Sequence, residues 1–313
     1  MKKIAILGAN PAWQKTLTFS GFATGKVNRA EKLEEFASGK GVNCARACRC
    51  YGKSTPYLLQ FAGKENGRRL ADFLDRESFF HTTVHTATPT RCCTTLLDKT
   101  SGTTTECIEP SFAVTQQEIN QLLQGADELL SFCDAAAICG TLPGDTPAKV
   151  YTEFALIAKK HNVPVLLDAC KGVGDVLDCG CTIDLKINLE ELFLLTGCGD
   201  VHSALKELFQ KHRNLRCAAI TDGPETAFSS DGRKITSYTL PKLSNITSTL
   251  GCGDTASAVL CTELACGTAF DEAFKCALGA ASANCLSALC GSFEKKQADM
   301  ICNRILTEEN KQW

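Results

Sequence analysis

The sequence predicts an α/β fold with a mostly parallel central sheet that helices cover on both faces, and three observations favour it. Short apolar runs end in polar or glycine-containing turns, as buried parallel strands do. Segments with apolar residues at helical spacing separate these runs. Threonine-rich segments with alternating polar and apolar residues predict a second, smaller sheet.

The predicted strands and helices alternate along the chain, as a parallel sheet requires. The strand predictions cover residues 4–7, 135–139, 163–167, 183–187 and 218–220. The helix predictions cover residues 116–130, 149–160, 189–196, 201–211, 271–289 and 294–306. Together these elements favour one large α/β unit.

Two segments, residues 16–36 and 91–108, depart from this alternation. Their alternating pattern indicates strands with one exposed face, and we expect them to form a small sheet at the edge of the main domain. Such a sheet beside the strand ends would serve as a lid. Since the chain has no internal repeats and no Pro/Ser-rich linkers, we expect a single domain over residues 1–313 with lid strands inserted at about 16–36 and 91–108.

The composition excludes several classes of function. The net charge is −2 with dispersed lysines and arginines, so nucleic-acid binding is not expected, and no apolar run approaches the length of a membrane span. The 20 cysteines are spread through apolar segments, where they act as small hydrophobic residues. Their spacing lacks the paired Cys-x-x-Cys pattern of structural zinc sites. We expect reduced thiols and a cytoplasmic location.

Polar residues follow each of the five predicted strands, at the carboxyl ends where such sheets bind ligands. They are Asn10, residues 140–143, Asp168, Asn188, Glu191 and residues 221–223. Turn or N-cap chemistry explains any one of them. Their occurrence after all five strands predicts one shared cleft.

The most informative motif is Gly251-Cys252-Gly253-Asp254, which precedes a run of small apolar residues with helical spacing. The motif therefore lies at a helix N-terminus, where free backbone N–H groups and the helix dipole favour an anion. A carboxylate in that first turn could accept a proton from an attacking hydroxyl, which predicts a phosphoryl-transfer site. The alternative is that Asp254 only caps the helix.

A second glycine motif, residues 38–47, contains Gly39, Gly41 and Asn43 at the start of another predicted helix. Glycine lets the backbone approach a ligand closely, and the Asn43 amide both donates and accepts hydrogen bonds. The pattern is neither a dinucleotide fingerprint nor a P-loop. Taken alone, it is a common glycine turn.

In combination, these motifs resemble those of the ribokinase-like carbohydrate kinases of the phosphofructokinase-B type. The branch of 1-phosphofructokinases and tagatose-6-phosphate kinases is the most similar. The six matching segments are residues 10–12, 25–29, 39–47, 140–144, 186–191 and 251–254. The resemblance implies a three-layer ribokinase-like fold with a small β-sheet lid.

The resemblance also implies roles at the nucleotide side. Asp254 would be the general base, and the backbone N–H groups of Gly251, Cys252 and Gly253 would hold the transferring phosphoryl group. Asn188 and Glu191 would organise Mg²⁺ and the phosphates of ATP through water. Lys186, Thr221 and Gly223 would line the nucleotide site.

On the sugar side, the resemblance places Gln14, Gly39 and Asn43 against the hydroxyls. The residues that would grip the phosphate already present on the substrate are Lys26, Arg29, Arg91 and Thr141. The alternative for the three basic residues is solvated charge on the lid. The oligomeric state stays open, with a homodimer through the lid as one candidate.

Three residues depart from the family pattern. Gln14 stands where an aspartate is usual, Thr226 replaces a glycine near the nucleotide, and Ile108 replaces an asparagine. The catalytic motif is retained while the substrate side differs. The sequence therefore favours a kinase for a ketohexose monophosphate, such as fructose 1-phosphate or tagatose 6-phosphate. A kinase for an unphosphorylated sugar or nucleoside, and a catalytically silent sensor of sugar phosphate or nucleotide, are the alternatives.

Overall fold

The computed structural model describes residues 1–169 and 171–311, and within these ranges the chain forms fourteen strands and ten helices. The strands are β1 (Lys2–Leu7), β2 (Ala12–Phe19), β3 (Lys32–Ser38), β4 (Ser54–Gly63), β5 (Phe80–Thr86), β6 (Cys92–Asp98), β7 (Thr103–Ile108), β8 (Ala135–Cys139), β9 (Val165–Asp168), β10 (Ile183–Asn188), β11 (Leu215–Asp222), β12 (Thr226–Ser230), β13 (Lys234–Thr239) and β14 (Leu306–Lys311). The helices are α1 (Lys40–Tyr51), α2 (Lys64–Arg76), α3 (Gln116–Leu130), α4 (Lys149–Lys160), α5 (Val173–Leu177), α6 (Leu189–Thr196), α7 (Val201–Lys211), α8 (Cys252–Ala265), α9 (Phe270–Asn284) and α10 (Lys295–Cys302).

The large sheet has the strand order β14-β13-β12-β11-β10-β9-β8-β1-β4-β5. All neighbours from β11 to β5 pair in parallel, and β12, β13 and β14 extend the sheet in antiparallel fashion. This confirms the predicted mostly parallel sheet.

Helices cover both faces of this sheet, which makes three layers. Alternate residues of β1 show why its sequence is apolar throughout. Ala5 and Leu7 pack in one buried cluster with α3 and α4, whereas Ile4 and Ile6 pack in a second cluster with α1, α8 and α9. A strand buried on both faces has no polar side to alternate with.

The small sheet has the order β3-β2-β6-β7 and confirms the predicted second sheet. The predicted segment 16–36 holds two strands separated by a loop over residues 20–31, and its first strand begins earlier, at Ala12. Residues 8–11 link β1 of the large sheet to β2 of the small sheet. At the start of β2, the Trp13 N–H donates to the carbonyl of Arg91, just before β6, at 3.0 Å. The single domain and the function of the small sheet as a lid stay predictions.

Two predicted helices end earlier than the sequence suggested. The helix predicted over residues 271–289 ends at Asn284, and the one predicted over 294–306 ends at Cys302. Leu306 instead begins β14, an edge strand whose polar residues gave no alternating signal. The helices predicted over 116–130, 149–160, 189–196 and 201–211 have the observed bounds. Across the described ranges, every helix is too short or too polar to cross a lipid bilayer.

Candidate active site

The first turn of α8 holds the glycine motif in the geometry that an anion cradle needs. Gly251 has φ +77°, a conformation that favours glycine, and a Cβ there would lie 2.9 Å from the Cβ of Cys290. A Cβ on Gly253 would lie 3.1 Å from Nζ of Lys186. The absence of both side chains therefore keeps the helix N-terminus open and brings a lysine ammonium group beside it.

Asp254 lies in this first turn and is only 7% exposed. Its Oδ2 accepts a hydrogen bond of 2.8 Å from Nδ2 of Asn43 in α1, and Ser38 Oγ donates to Oδ1 of the same asparagine at 3.2 Å. Burial raises the pKa of Asp254, and the positive charge of Lys40 opposes that rise. The carboxylate thus contacts another helix instead of capping α8, which argues against the helix-cap alternative.

Asp168 at the end of β9 is the centre of this site, and sequence reasoning gave it only as one of the polar strand ends, without a role. The side chain is 2% exposed, and its Oδ1 accepts from Nζ of Lys40 at 3.1 Å. Its Oδ2 accepts from Nζ of Lys186 at 3.3 Å and from Oγ of Ser257 at 2.5 Å. Burial by itself would raise the pKa of Asp168, but Lys186 and Lys40 hold it below its usual value. An ionised carboxylate therefore fixes two lysines beside the start of α8.

Asn188 and Glu191, the predicted magnesium residues, form the capping box of α6. Asn188 Oδ1 accepts from the backbone N–H of Glu191 at 2.8 Å, and Glu191 Oε2 accepts from the N–H of Asn188 at 2.9 Å. Within residues 1–169 and 171–311, no group of three or more His, Cys, Asp or Glu side chains could hold a metal directly. The donor set therefore fits a cation bound through water and nucleotide oxygens, and does not fit a protein cage.

Thr221 and Gly223 lie next to this capping box. Thr221 pairs with Asn188 across β10 and β11, and Gly223 occupies the turn that leads into β12. Thr226 is the first residue of β12, and its Oγ1 donates to Oδ2 of Asp222 at 3.2 Å. The departure from glycine at position 226 thus closes the hairpin with a side-chain hydrogen bond.

Three of the predicted sugar-side residues, Gly39, Arg91 and Thr141, lie around Asn10 and Pro11 between β1 and β2. Asn10 Nδ2 donates to Oγ1 of Thr141 at 3.1 Å, and Arg91 Nη2 donates to the Asn10 carbonyl at 3.2 Å. The buried Nε of Arg91 has no hydrogen-bond partner among the described residues. Gly39, with φ +108°, brings its backbone close to Pro11, where a Cβ would lie 2.8 Å from the Pro11 Cα. This junction therefore carries an unsatisfied arginine donor.

Gln14 is 7% exposed and is held by the small sheet. Its Nε2 donates to Oγ1 of Thr95 at 2.8 Å and to the carbonyl of Lys15 at 3.1 Å. Because a carbonyl can only accept, this contact fixes which end of the amide is nitrogen. The Gln14 amide is therefore held with its nitrogen toward Thr95 of β6.

Lys26 and Arg29 are not brought to this junction within one chain. Both are exposed in the loop between β2 and β3, beyond Phe19. Gln14 and Phe19 lie at opposite ends of β2, about 17 Å apart at the rise of an extended strand. Ile108, the third departure, is 59% exposed on β7. In the single chain, Lys26 and Arg29 are therefore solvated charges.

Comparison with known proteins places this geometry in context. The family model for the pfkB family of carbohydrate kinases matches residues 1–297. Phosphofructokinase-2 of Escherichia coli, solved in complex with potassium, superposes with a TM-score of 0.87 at 21% identity and covers 97% of this chain and 99% of its own. A Thermotoga maritima protein described as a possible 1-phosphofructokinase gives a TM-score of 0.84 at 16% identity and covers 99% of this chain and 100% of its own.

Proposed function

Because the chain belongs to the pfkB family of carbohydrate kinases, we propose that it transfers the γ-phosphoryl group of ATP to a hydroxyl of a ketohexose monophosphate, such as fructose 1-phosphate or tagatose 6-phosphate. The protein is an ATP-dependent carbohydrate kinase, and the proposal concerns its substrate and its residues. The observation that carries it is the buried Asp254–Asn43 pair beside two lysines that Asp168 holds.

Asp254 is the proposed general base. The Asn43 amide occupies its Oδ2, which leaves Oδ1 to accept the proton of the sugar hydroxyl. Burial makes the carboxylate a stronger base than a solvated aspartate because it raises its pKa. Asn43 thus orients the base as well as facing the sugar.

The start of α8 and the two lysines are the proposed stabilisers of phosphoryl charge. The N–H groups of Gly251, Cys252 and Gly253 lie at the positive end of the helix dipole. Lys186 lies beside Gly253, and both Lys186 and Lys40 donate to the carboxylate of Asp168. A fixed cluster of donors costs no reorganisation when charge develops on the phosphoryl oxygens.

Magnesium, when bound, would neutralise charge on the phosphate oxygens of the nucleotide. We propose that nucleotide oxygens and water hold it, with Asn188 and Glu191 in the outer shell and Thr221 and Gly223 beside the nucleotide. The capping box supports this, because it holds both side chains at the end of β10.

A phosphorylated substrate is favoured over a free sugar by Arg91. Its buried and unpartnered Nε donor lies at the junction of the two sheets, beside Asn10 and Thr141. The guanidinium is half-buried and is held by the hydrogen bond from Nη2 to the Asn10 carbonyl, and a fixed cation there would bind a substrate phosphate through charge-assisted hydrogen bonds. A homodimer through the small sheet belongs to the proposal, supported by the exposed apolar side chains of Leu33 and Ile108.

The experiment is a panel of phosphorylated and free sugars with ATP and Mg²⁺, read by ADP release and by ³¹P NMR of the product. We expect the highest kcat/KM for a ketohexose monophosphate. A higher value for a free sugar would favour the unphosphorylated substrate class. Sugar-phosphate binding by calorimetry without ADP release would favour a silent sensor.

A further inference from the structure

Two thiols meet at the start of α8, where the proposed phosphoryl donors lie. Cys252 is the first residue of α8, and Cys285 directly follows the last residue of α9. Their Sγ atoms are 3.1 Å apart, and both residues are partly accessible to solvent. This contact plays no part in the proposed phosphoryl transfer.

We propose that Cys252 and Cys285 are a reversible modification site, at which a peroxide oxidises the two thiols to a disulfide and thereby slows the kinase. The slowing rests on the proposed function, because it acts through the backbone of Cys252. Formation of the disulfide does not rest on it.

The two thiols have different hydrogen-bond partners. Either thiol can donate in the contact between the two sulfurs, and the thiol of Cys285 also donates to the Ala281 carbonyl at 3.6 Å. Asn284 Nδ2 also donates to the sulfur of Cys252, at 3.3 Å. Either sulfur can therefore be the attacking thiolate, and the other is then the resolving thiol.

The reaction takes two steps. The thiolate of one cysteine attacks one oxygen of hydrogen peroxide, so that an S–O bond forms, the O–O bond breaks and hydroxide leaves to become water. The sulfur of the other cysteine then attacks the sulfenic acid, so that an S–S bond forms and the S–O bond breaks, and the leaving hydroxide takes up the thiol proton and becomes a second water. The thiols lose two electrons in total, and the peroxide gains them.

A covalent bond between these sulfurs acts directly on the first turn of α8. The Cys252 N–H is a proposed donor to the phosphoryl group, and its neighbourhood has little room to shift. Asn284 Nδ2 donates to the Leu250 carbonyl at 2.9 Å, and its Oδ1 accepts from the Gly291 N–H at 2.8 Å. Since displacement of reacting groups by about 1 Å can cost about 10²-fold in rate, we expect kcat to fall about tenfold or more.

A second thiol pair provides the control. Cys276 and Cys302 lie with their sulfurs 4.0 Å apart, between α9 and α10. The hydrogen bond from Cys302 lowers the pKa of Cys276 to about 7, so this pair is also reactive. Cys276 lies more than two helical turns from Cys285 along α9, so its oxidation leaves the start of α8 in place.

The experiment compares the wild-type protein with Cys285→Ser, Cys285→Ala and Cys276→Ser, each before and after treatment with hydrogen peroxide. Mass spectrometry of alkylated peptides maps the disulfides, and kcat is measured before and after dithiothreitol. We expect a Cys252–Cys285 link and a reversible loss of kcat in wild type and in Cys276→Ser. Each Cys285 variant should keep the rate it had before treatment.

The proposal is overturned if the wild-type protein forms no Cys252–Cys285 link, or if the link leaves kcat unchanged. It is also overturned if both Cys285 variants lose activity as the wild type does. Should the reduced protein phosphorylate no sugar, the proposed function fails, and the peptide map still decides whether this thiol pair is a modification site.

Discussion

In a single chain, the residues of the buried centre around Asp254 contact one another, whereas those at the outer end of the small sheet are exposed to solvent. Asp254 and Asp168 are 7% and 2% exposed, and each has hydrogen-bond partners from another element. Lys26 and Arg29 are exposed in a loop at the far end of β2. One chain therefore preorganises the residues proposed for phosphoryl transfer. Those proposed to grip the substrate phosphate are only partly assembled, and binding must complete them.

The largest expected effect is that of Asp254→Asn. We expect kcat to fall by about 10²–10⁴, which is the contribution of a positioned general base. ATP binding, measured by calorimetry, should change little, since the group acts in the transition state. In the wild type, activity should fall with decreasing pH as Asp254 becomes protonated. Because burial raises the pKa of Asp254, this fall should begin at a higher pH than for a solvated aspartate. The variant should lose this dependence.

Asp200→Asn is the matched control, because Asp200 Oδ1 accepts from the N–H of Ser203 and caps α7. Its kcat should stay at the wild-type value. Near-normal turnover in Asp254→Asn would instead assign that carboxylate a structural role, like that of Asp200.

Asp168→Asn tests how strongly the buried centre is held together. Removal of one partner of a buried ion pair costs about 3–5 kcal/mol, and here two lysines lose their carboxylate. We expect the free energy of unfolding, measured with urea, to fall by about that amount. Glu31→Gln breaks the exposed pair with Lys99 and should leave the free energy of unfolding almost unchanged. Equal effects of the two variants would contradict a tightly coupled centre.

Arg91→Ala and Arg29→Ala test the less complete end of the molecule. A charge-assisted hydrogen bond contributes about 1.5–3 kcal/mol, so each change should raise KM for the phosphosugar roughly tenfold or more. KM for the corresponding free sugar should stay unchanged. Arg233→Ala, in the turn between β12 and β13 at the opposite end of the strands, is the control. A normal KM for Arg29→Ala would leave Arg29 as a solvated surface charge.

Gln14→Asp should have the smallest effect. A carboxylate cannot donate to the Lys15 carbonyl, so that contact of the amide is lost, whereas the Thr95 hydroxyl can turn to donate to it. At the lower end of the ~1–3 kcal/mol cost of an unpaired buried group, kcat/KM should fall about fivefold. Thr95→Val, which removes one of these acceptors, should shift kcat/KM in the same direction. A rise for fructose 1-phosphate in Gln14→Asp would mean that the added charge outweighs the lost contact.

Local patterns predicted the bounds of α3, α4, α6 and α7, because their signals lie within a few residues, whereas α2 and α5 were not predicted. The helix α3 begins at a capping box between Thr115 and Glu118, and its apolar periodicity ends where the helix ends. The strand β14 was not predicted, because an exposed edge strand needs no apolar face and its sequence therefore has no alternating apolar pattern.

The centre of the site could be predicted only in part. Asp168 was one of several polar strand ends, and nothing in its neighbourhood points to Lys40, which lies 128 residues earlier. The available signals were Lys40 in the glycine motif of residues 38–47 and Lys186 near the end of β10. For Asn188 and Glu191 the sequence signal is ambiguous, because the same spacing suits a metal site and a helix capping box. The sequence alone cannot distinguish these two roles, since the distinction depends on what the other strand ends place nearby.

The hydrogen bond between Asn43 and Asp254 joins residues 211 positions apart in the chain. Contacts of such separation form late in folding, because the entropy of closing a long loop must be met first. During synthesis, Asn43 therefore leaves the ribosome long before its partner exists, and no shorter nascent chain can hold the base in place. A chain that ends before α8 contains every strand of the large sheet except β14, but it lacks Asp254 and the helices α8 and α9 that cover one face of that sheet.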